Sequence, residues 1–381
     1  MICIRKHTII DQHYLLFIHD DKICIGKNIL NPKYVLPINL QTKLEWTFDK
    51  EKSQFQGFII EWNNQKKQFH MSDQNCQELK SQIDGRILYN EINSQYYPIQ
   101  IVGEGTFGKV IKVVSLIDRK EYACKVMKLD KKFSKNDIIY ELMTMQSLNH
   151  ENIIKIKEVY SSKSHFFIIM EYCRGGTLRE QLAYRTLNQD QIVMIMKQIL
   201  NAIIYMNSRG FIHRDIKPDN ILLREQNDLS SILVCDFGFA AKVEDIVTKH
   251  PNCGTPGYMA PEVIKFDQTN PYNEQCDVFS CGSLLYSILT GYNLEMQSEE
   301  SEIYNIEAQV YEEKQFTSIN NQFKNILLKM LEPSPNQRIT AKDAQKYFEN
   351  FDLFLMEEMN SLDVIQKLKH ISINKNNCHQ F

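Results

Sequence analysis

The chain has 381 residues, too many for one ordinary domain and enough for two or three. Hydrophobic residues make up 43% and charged residues 24%, which excludes wholesale disorder and allows a sizeable core. The 44 Lys+Arg against 47 Asp+Glu are spread evenly (12 and 11 up to residue 97, 32 and 36 after it), so no basic domain points to nucleic acid. Residues 1–7 lack the apolar run of a secretory leader, and no stretch of about 18 uncharged apolar residues occurs. A cytoplasmic chain with no transmembrane segment is therefore expected. The ten cysteines show no C-x-x-C pair and no His/Cys cluster at zinc spacing, so they are expected to be reduced and buried.

Residues 1–95 read as a β-rich module, with short strands at 14–18, 22–25, 43–48, 57–62 and 68–71 between Asp-Asp, Asn-Pro and Asn-Asn turn signals. Ser72 then has the character of an N-cap, with Asp73 in the first helical turn and Gly85 as the stop. A strand that passes through a Ser-acidic turn into one closing helix resembles the end of a pleckstrin-homology domain, over residues 40–88. Leu79 stands where that family's helix carries a Trp, and its lysine-rich first hairpin is not evident, since Lys66 and Lys67 lie elsewhere. The resemblance implies membrane phosphoinositide binding, while the residues alone leave protein docking or simple packing open.

From Tyr96 the pattern changes to strands over 97–129 and 153–173, with a helix at about 135–148 between them and mostly helices from 178 onward. This predicts an α+β arrangement of two lobes with a cleft, a preferred place for a ligand. Gly103-Glu104-Gly105-Thr106-Phe107-Gly108-Lys109-Val110 is a G-x-G-x-x-G-x-V sequence. Glycines let backbone amides approach phosphate with no Cβ in the way. A dinucleotide-binding turn would open a helix here, but Val110 to Val114 continue as a strand, so a glycine-rich hairpin is expected.

Further on, Tyr122-Ala123-Cys124-Lys125-Val126 places a lysine in an apolar strand. Burying an ammonium is costly unless it is paired; the alternative is a stem lying along a half-exposed strand. Glu141 on the following helix is the candidate partner. The stretch His213-Arg214-Asp215-Ile216-Lys217-Pro218-Asp219-Asn220 then sets a carboxylate, a cation and an amide on one loop. That set suits phosphoryl transfer, in which a carboxylate orients a hydroxyl, a cation steadies the transferred group and an amide oxygen binds metal. Asp236, after the apolar Leu233-Val234-Cys235 and before Phe237-Gly238, is a hard oxygen ligand suited to Mg2+.

Together these motifs resemble the eukaryotic protein kinase family over residues 98–350, closest to serine/threonine kinases of the calcium/calmodulin-dependent group. The match extends to Ala260-Pro261-Glu262, to Asp277-Val278-Phe279-Ser280-Cys281-Gly282 with Phe279 in place of the commoner Trp, and to Arg338. It implies an α+β, two-lobe protein kinase fold, with a small lobe at 98–173 and a large lobe at 174–350. The small β-rich module, pleckstrin-homology-like in its ending, precedes it, and a helical tail at 351–381 follows. It also implies ATP and Mg2+ as cofactors and serine or threonine hydroxyls of protein substrates as phosphate acceptors.

The resemblance assigns roles residue by residue. Asp215 orients the attacking hydroxyl, Lys217 stabilises charge, Asn220 and Asp236 hold Mg2+, and Lys125 with Glu141 positions the phosphates. Val102, Gly103 to Val110, Ala123 and Leu222 would surround ATP, with Met170 gating the pocket behind adenine and Glu171 and Cys173 in the hinge. Thr255 would bond both Asp215 and Lys217, and a buried Glu262–Arg338 pair is implied. Arg214 would bind a phosphate on the loop from 236 to 262, with Thr248 as its acceptor. Thr177 stands where relatives that select an upstream arginine carry Glu, which puts a basic substrate preference in doubt. The alternative reading is a pseudokinase scaffold, which typically lacks the strand Lys, the catalytic Asp or the metal Asp; here all three are present. In the tail, Leu355 to Leu368 repeat apolar residues at helical spacing, and Glu357, Glu358 and Asp363 have the wrong sign for a basic calmodulin target.

Overall fold

Alternation of apolar and polar residues folds the N-terminal module into seven strands: β1 (Ile2–Arg5), β2 (Gln12–His19), β3 (Lys22–Gly26), β4 (Tyr34–Pro37), β5 (Lys43–Asp49), β6 (Gln54–Trp62) and β7 (Gln65–His70). Ser72 caps the helix that follows, α1 (Asp73–Ile83), accepting the Asn75 N–H at 3.3 Å. Cys76, Leu79 and Ile83 form its buried stripe. Next come β8 (Leu88–Tyr89), β9 (Tyr96–Gly105), β10 (Gly108–Ser115), β11 (Glu121–Lys128), α2 (Lys135–Ser147), β12 (Ile156–Ser161) and β13 (His165–Glu171). The computed structural model describes residues 1–6, 11–49, 51–105, 108–130, 134–249, 252–266, 271–295 and 319–351. Thr106, Phe107 and the tail beyond Phe351 lie outside the described residues.

These elements form one compact unit, residues 1–149 with 154–173; a second unit holds 150–153 and the chain from 174 onward. Among the described residues of the first unit thirteen strands make a single sheet in the order β4-β3-β2-β1-β7-β6-β5-β8-β12-β13-β11-β10-β9. The two-residue β8 is the join, running parallel to both β5 and β12. One hydrophobic core runs through the join as well, from Tyr14, Trp46, Phe58 and Leu79 to Tyr160 and Ile169.

A buried polar cluster sits at this join. Lys80 Nζ on α1 lies 2.8 Å from Asp84 Oδ1 and 2.9 Å from Glu158 Oε1 on β12. Tyr89 donates to Asp84 at 2.7 Å, while Tyr96 and Tyr160 donate to the two oxygens of Glu158 at 2.9 and 2.6 Å. One ammonium therefore serves two carboxylates. Burial, only partly offset by Lys80, pushes the Asp84 carboxyl up to about 6, and the Glu158 charge adds to the rise.

The second unit is mainly helical. It contains α3 (Leu178–Tyr184), α4 (Gln189–Ser208), α5 (Pro261–Ile264), α6 (Gln275–Thr290), α7 (Asn321–Met330) and α8 (Ala341–Glu349). Ile192, Ile195, Met196, Ile199, Ile203 and Met206 give α4 a buried stripe of helical period. From Cys276 to Ser287, α6 is buried on every side, and a Cβ at Gly282 would come 2.9 Å from Met330 Cβ, so α6 lies close against α7. Two small antiparallel ladders, β14 (Phe211–Ile212) with β17 (Ala241–Lys242) and β15 (Ile221–Leu223) with β16 (Ile232–Val234), frame the loop from 213 to 220. Among the described residues no helix is long and apolar enough to cross a membrane.

Candidate active site

In the first unit, Val102 to Gly105 end β9 and Gly108 opens β10, with Gly108 opposite Gly105 and Val110 opposite Gly103. Gly108 has φ +137°, and a Cβ there would stand 2.1 Å from Val126 O, so the hairpin itself demands glycine. A Cβ at Gly105 would meet no atom of the described residues within 4 Å, chain neighbours aside. Packing of the described chain gives no reason for glycine at 105, which leaves its backbone open to approach from outside.

Register places Val110 opposite Lys125 and Ala123 opposite Met170, so Val110, Ala123, Lys125 and Met170 share one face of the sheet. The Lys125 ammonium is 2.7 Å from Glu141 Oε1, and both residues are buried. Glu141 is presented by α2, whose N-terminus is closed by a capping box of Ser134 and Asp137. Glu171 ends β13, and Cys173 follows it, buried. Lys109 pairs with Glu104 at 3.3 Å on the exposed surface. Burial pushes the Cys124 thiol up to about 12, which removes it as a nucleophile.

In the second unit the loop between β14 and β15 gathers the remaining groups. Asp215 is 4% exposed, and its carboxylate is gripped by three donors. Thr255 donates to Oδ1 at 2.6 Å, Asn220 Nδ2 to Oδ2 at 2.9 Å, and Lys217 Nζ stands 2.8 Å from Oδ2. Lys217 also donates to Thr255 Oγ1 at 2.7 Å, so Asp215, Lys217 and Thr255 close a ring of hydrogen bonds, with Asn220 bonded to Asp215 beside it. Asn220 Nδ2 further donates to Asp215 O at 2.8 Å, which leaves the amide oxygen as the atom available to a cation. Carboxylates accept about four hydrogen bonds in all, so Asp215 keeps capacity for an incoming hydroxyl.

Two backbone features hold this loop. Arg214 (φ +67°) and Asp236 (φ +63°) adopt left-handed conformations without being glycine, the kind of strain that persists at functional positions. Asp277 on α6 accepts the N–H groups of His213 and Arg214 at 2.7 and 2.8 Å and is itself fully buried. Burial pushes its carboxyl up, against the pull of His213 and the two N–H bonds. Sequence reasoning placed Asp277 in a signature without a role; its only local signal was an acidic residue in an otherwise apolar helix. His213 packs edge-on against Phe237, with ring centroids 5.2 Å apart, and its Nε2 lies 3.1 Å from Cys235 O, which fixes the strand end that carries Asp236.

Arg214 is buried, its guanidinium donating to Phe239 O at 2.7 Å and to the Tyr272 hydroxyl at 3.1 Å. Thr248 is exposed and donates to Asp245 O at 3.0 Å. Leu222 lies in β15 and bridges to Thr177, which caps α3 in a box with Glu180. The Glu262–Arg338 pair is bidentate, at 2.6 and 3.0 Å, and Arg338 also donates to the carbonyls of Gln275, Glu332 and Pro333.

A protein kinase domain family matches residues 96–348. Calcium-dependent protein kinase 4 of Plasmodium falciparum (isolate 3D7) is 33% identical over 263 residues, covering 67% of this chain and 49% of that protein. The protein of the same name from Plasmodium berghei (strain Anka) is 32% identical over 263 residues, with the same coverage. The chain thus spans about half the length of the curated relatives it matches.

Proposed function

The chain belongs to the protein kinase domain family, and from that premise we propose that it transfers the γ-phosphate of ATP to serine or threonine hydroxyls of protein substrates. The cluster of Asp215, Lys217, Asn220 and Thr255 carries the reading. Asp215, held by three donors, takes up the hydroxyl of the substrate and orients it for attack. Lys217 keeps positive charge beside that carboxylate, where negative charge develops on the phosphoryl oxygens. Lys125, paired with Glu141, would hold ATP phosphates, and the glycine-rich stretch that begins at Gly103 is assigned to them as well. Val102, Val110, Ala123, Met170, Glu171, Cys173 and Leu222 are assigned to the nucleotide base and its surroundings.

Protein kinases as a family use ATP with Mg2+. Asn220 Oδ1 and the Asp236 carboxylate are the hard oxygen donors that would hold the ion. Bound Mg2+ supplies positive charge to the phosphate oxygens; the residues of the chain do the orienting. We assign residues 1–95 to an accessory module, 98–350 to the kinase domain and 351–381 to a tail.

The test is transfer of label from γ-labelled MgATP to a mixed protein substrate, followed by identification of the phosphorylated residue. Phosphoserine and phosphothreonine are expected; absence of transfer, or phosphotyrosine alone, overturns the assignment. Regulation is assigned to Arg214 and Thr248. A phosphate on Thr248 would meet the buried guanidinium through charge-assisted bonds and order the loop. Phosphatase treatment is expected to lower activity of the wild type and to leave Thr248→Ala unchanged at that lower level. A phosphatase-treated Thr248→Ala protein with full activity removes Thr248 from this role.

A further inference from the structure

Helix α2 presents Glu141 to Lys125, so whatever fixes α2 also fixes that pair. Its N-terminus is closed by its own residues. Its C-terminal turn reaches the N-terminal module instead: Gln146 Nε2 donates to Gly85 O, at the turn between α1 and β8. Five residues separate Glu141 from Gln146, about 140° around a helix, so α2 is gripped on two different sides.

The accepting carbonyl is itself held rigidly. Gly85 has φ +72°, and a Cβ there would come 3.2 Å from Ile156 O, at the start of β12. On the other side the Asp84 N–H closes onto Lys80 O at 2.8 Å, and Lys80 is tied to Glu158 of β12. Beside the Gln146–Gly85 bond a cavity of about 600 Å³ separates Ile38, Leu40 and Arg86 of the module from Ile139, Met143 and Met145 of α2. Close packing does not lock α2 to the module across that space. The buried stripe of Ile138, Leu142 and Met145 packs one face of α2, and the directed bond of the exposed Gln146 at the edge of the cavity adds a tie from the helix to the module.

We propose that Gln146 is a positioning residue for phosphoryl transfer, tying α2 to the N-terminal module through Gly85 O and so keeping Glu141 on the Lys125 ammonium. This rests on the kinase reading above and adds a reason for the module to share a sheet with the strands that carry Lys125. The module acts as a fixed support for α2.

The variant Gln146→Met keeps the volume and removes the donor, whereas Gln146→Lys keeps a donor of similar reach. Losing one hydrogen bond to a backbone carbonyl is expected to lower kcat about three- to tenfold, with the KM for protein substrate unchanged, and Gln146→Lys to restore kcat to within about twofold. In a Glu141→Gln background the pair to be positioned is gone, so adding Gln146→Met is expected to change kcat less than about twofold. Amide hydrogen exchange along α2 should quicken about three- to tenfold in Gln146→Met, with β9 to β11 unaffected. Gln146→Glu, which lacks the donor, serves as a second variant where the Met protein folds poorly. Full kcat in both variants, an equal loss in the Glu141→Gln background, or unchanged exchange in α2 overturns the proposal. The exchange result stands even if the wild type transfers no phosphate, an outcome that would sink the kinase reading instead.

Discussion

Asp215→Asn is expected to lower the rate of phosphoryl transfer about 10²–10⁴-fold while leaving the fold intact. The amide has nearly the shape of the carboxylate, so the loop keeps its two anchors on Asp277. The charge does not survive, and the donors Lys217, Thr255 and Asn220 then surround a neutral group, one side of which is itself a donor. Lys217 loses the partner that fixes its ammonium, and an attacking hydroxyl loses its acceptor. Single-turnover transfer measures the loss, and thermal unfolding checks that the variant is folded. Equal phosphate incorporation by wild type and variant would falsify the catalytic assignment of Asp215.

Lys80→Met is expected to destabilise the first unit by about 3–5 kcal/mol at neutral pH, because it leaves the buried Glu158 and the half-buried Asp84 with no cation between them. Its pH dependence follows from the direction of the Asp84 shift. In the wild type that carboxyl is raised from 3.8 to about 6, so the stability it contributes is present at low pH and is lost as pH rises through about 6. Lys80 is the main charge opposing that rise. Without it the window moves upward, so the deficit should be greatest above neutrality and shrink as Asp84 protonates on falling pH. Urea unfolding at several pH values reads this directly. A deficit that does not vary with pH would mean that lost packing of the lysine stem, and not the stranded carboxylates, sets the cost.

Both predictions draw on residues whose visibility in the sequence differs sharply. Asp215, Lys217 and Asn220 stand within one short loop, and the chemistry of a carboxylate, a cation and an amide can be read from adjacency alone. Lys80 and Glu158 are 78 positions apart, and no local period relates a helix lysine to a strand glutamate. The Lys80 and Asp84 spacing of four was visible, but such pairs are usually exposed and of little weight. Strands β1, β4 and β8 were missed for a similar reason. At four, four and two residues they are too short to show a period, and β8 exists because β5 and β12 flank it. Helix α1 was legible because Ser72, Asp73 and Gly85 are local start and stop signals.

The amino-acid sequence by itself determined the kinase motifs, the glycine hairpin, the cap of α1 and the chemical groups available for phosphoryl transfer, because each depends on residues near one another along the chain. Tertiary structure alone decided that the N-terminal module shares one sheet and one core with the strands bearing Lys125. It alone set Asp277 under the catalytic loop, 64 residues from His213, and brought Gln146 to Gly85 across 61 residues. The shared core and the bonds to Asp277 arise from burial, which pairs whichever polar groups the packed core leaves without water, and the bond of the exposed Gln146 arises from where α2 packs; in each case the partners are chosen by three-dimensional neighbourhood and leave no spacing to read.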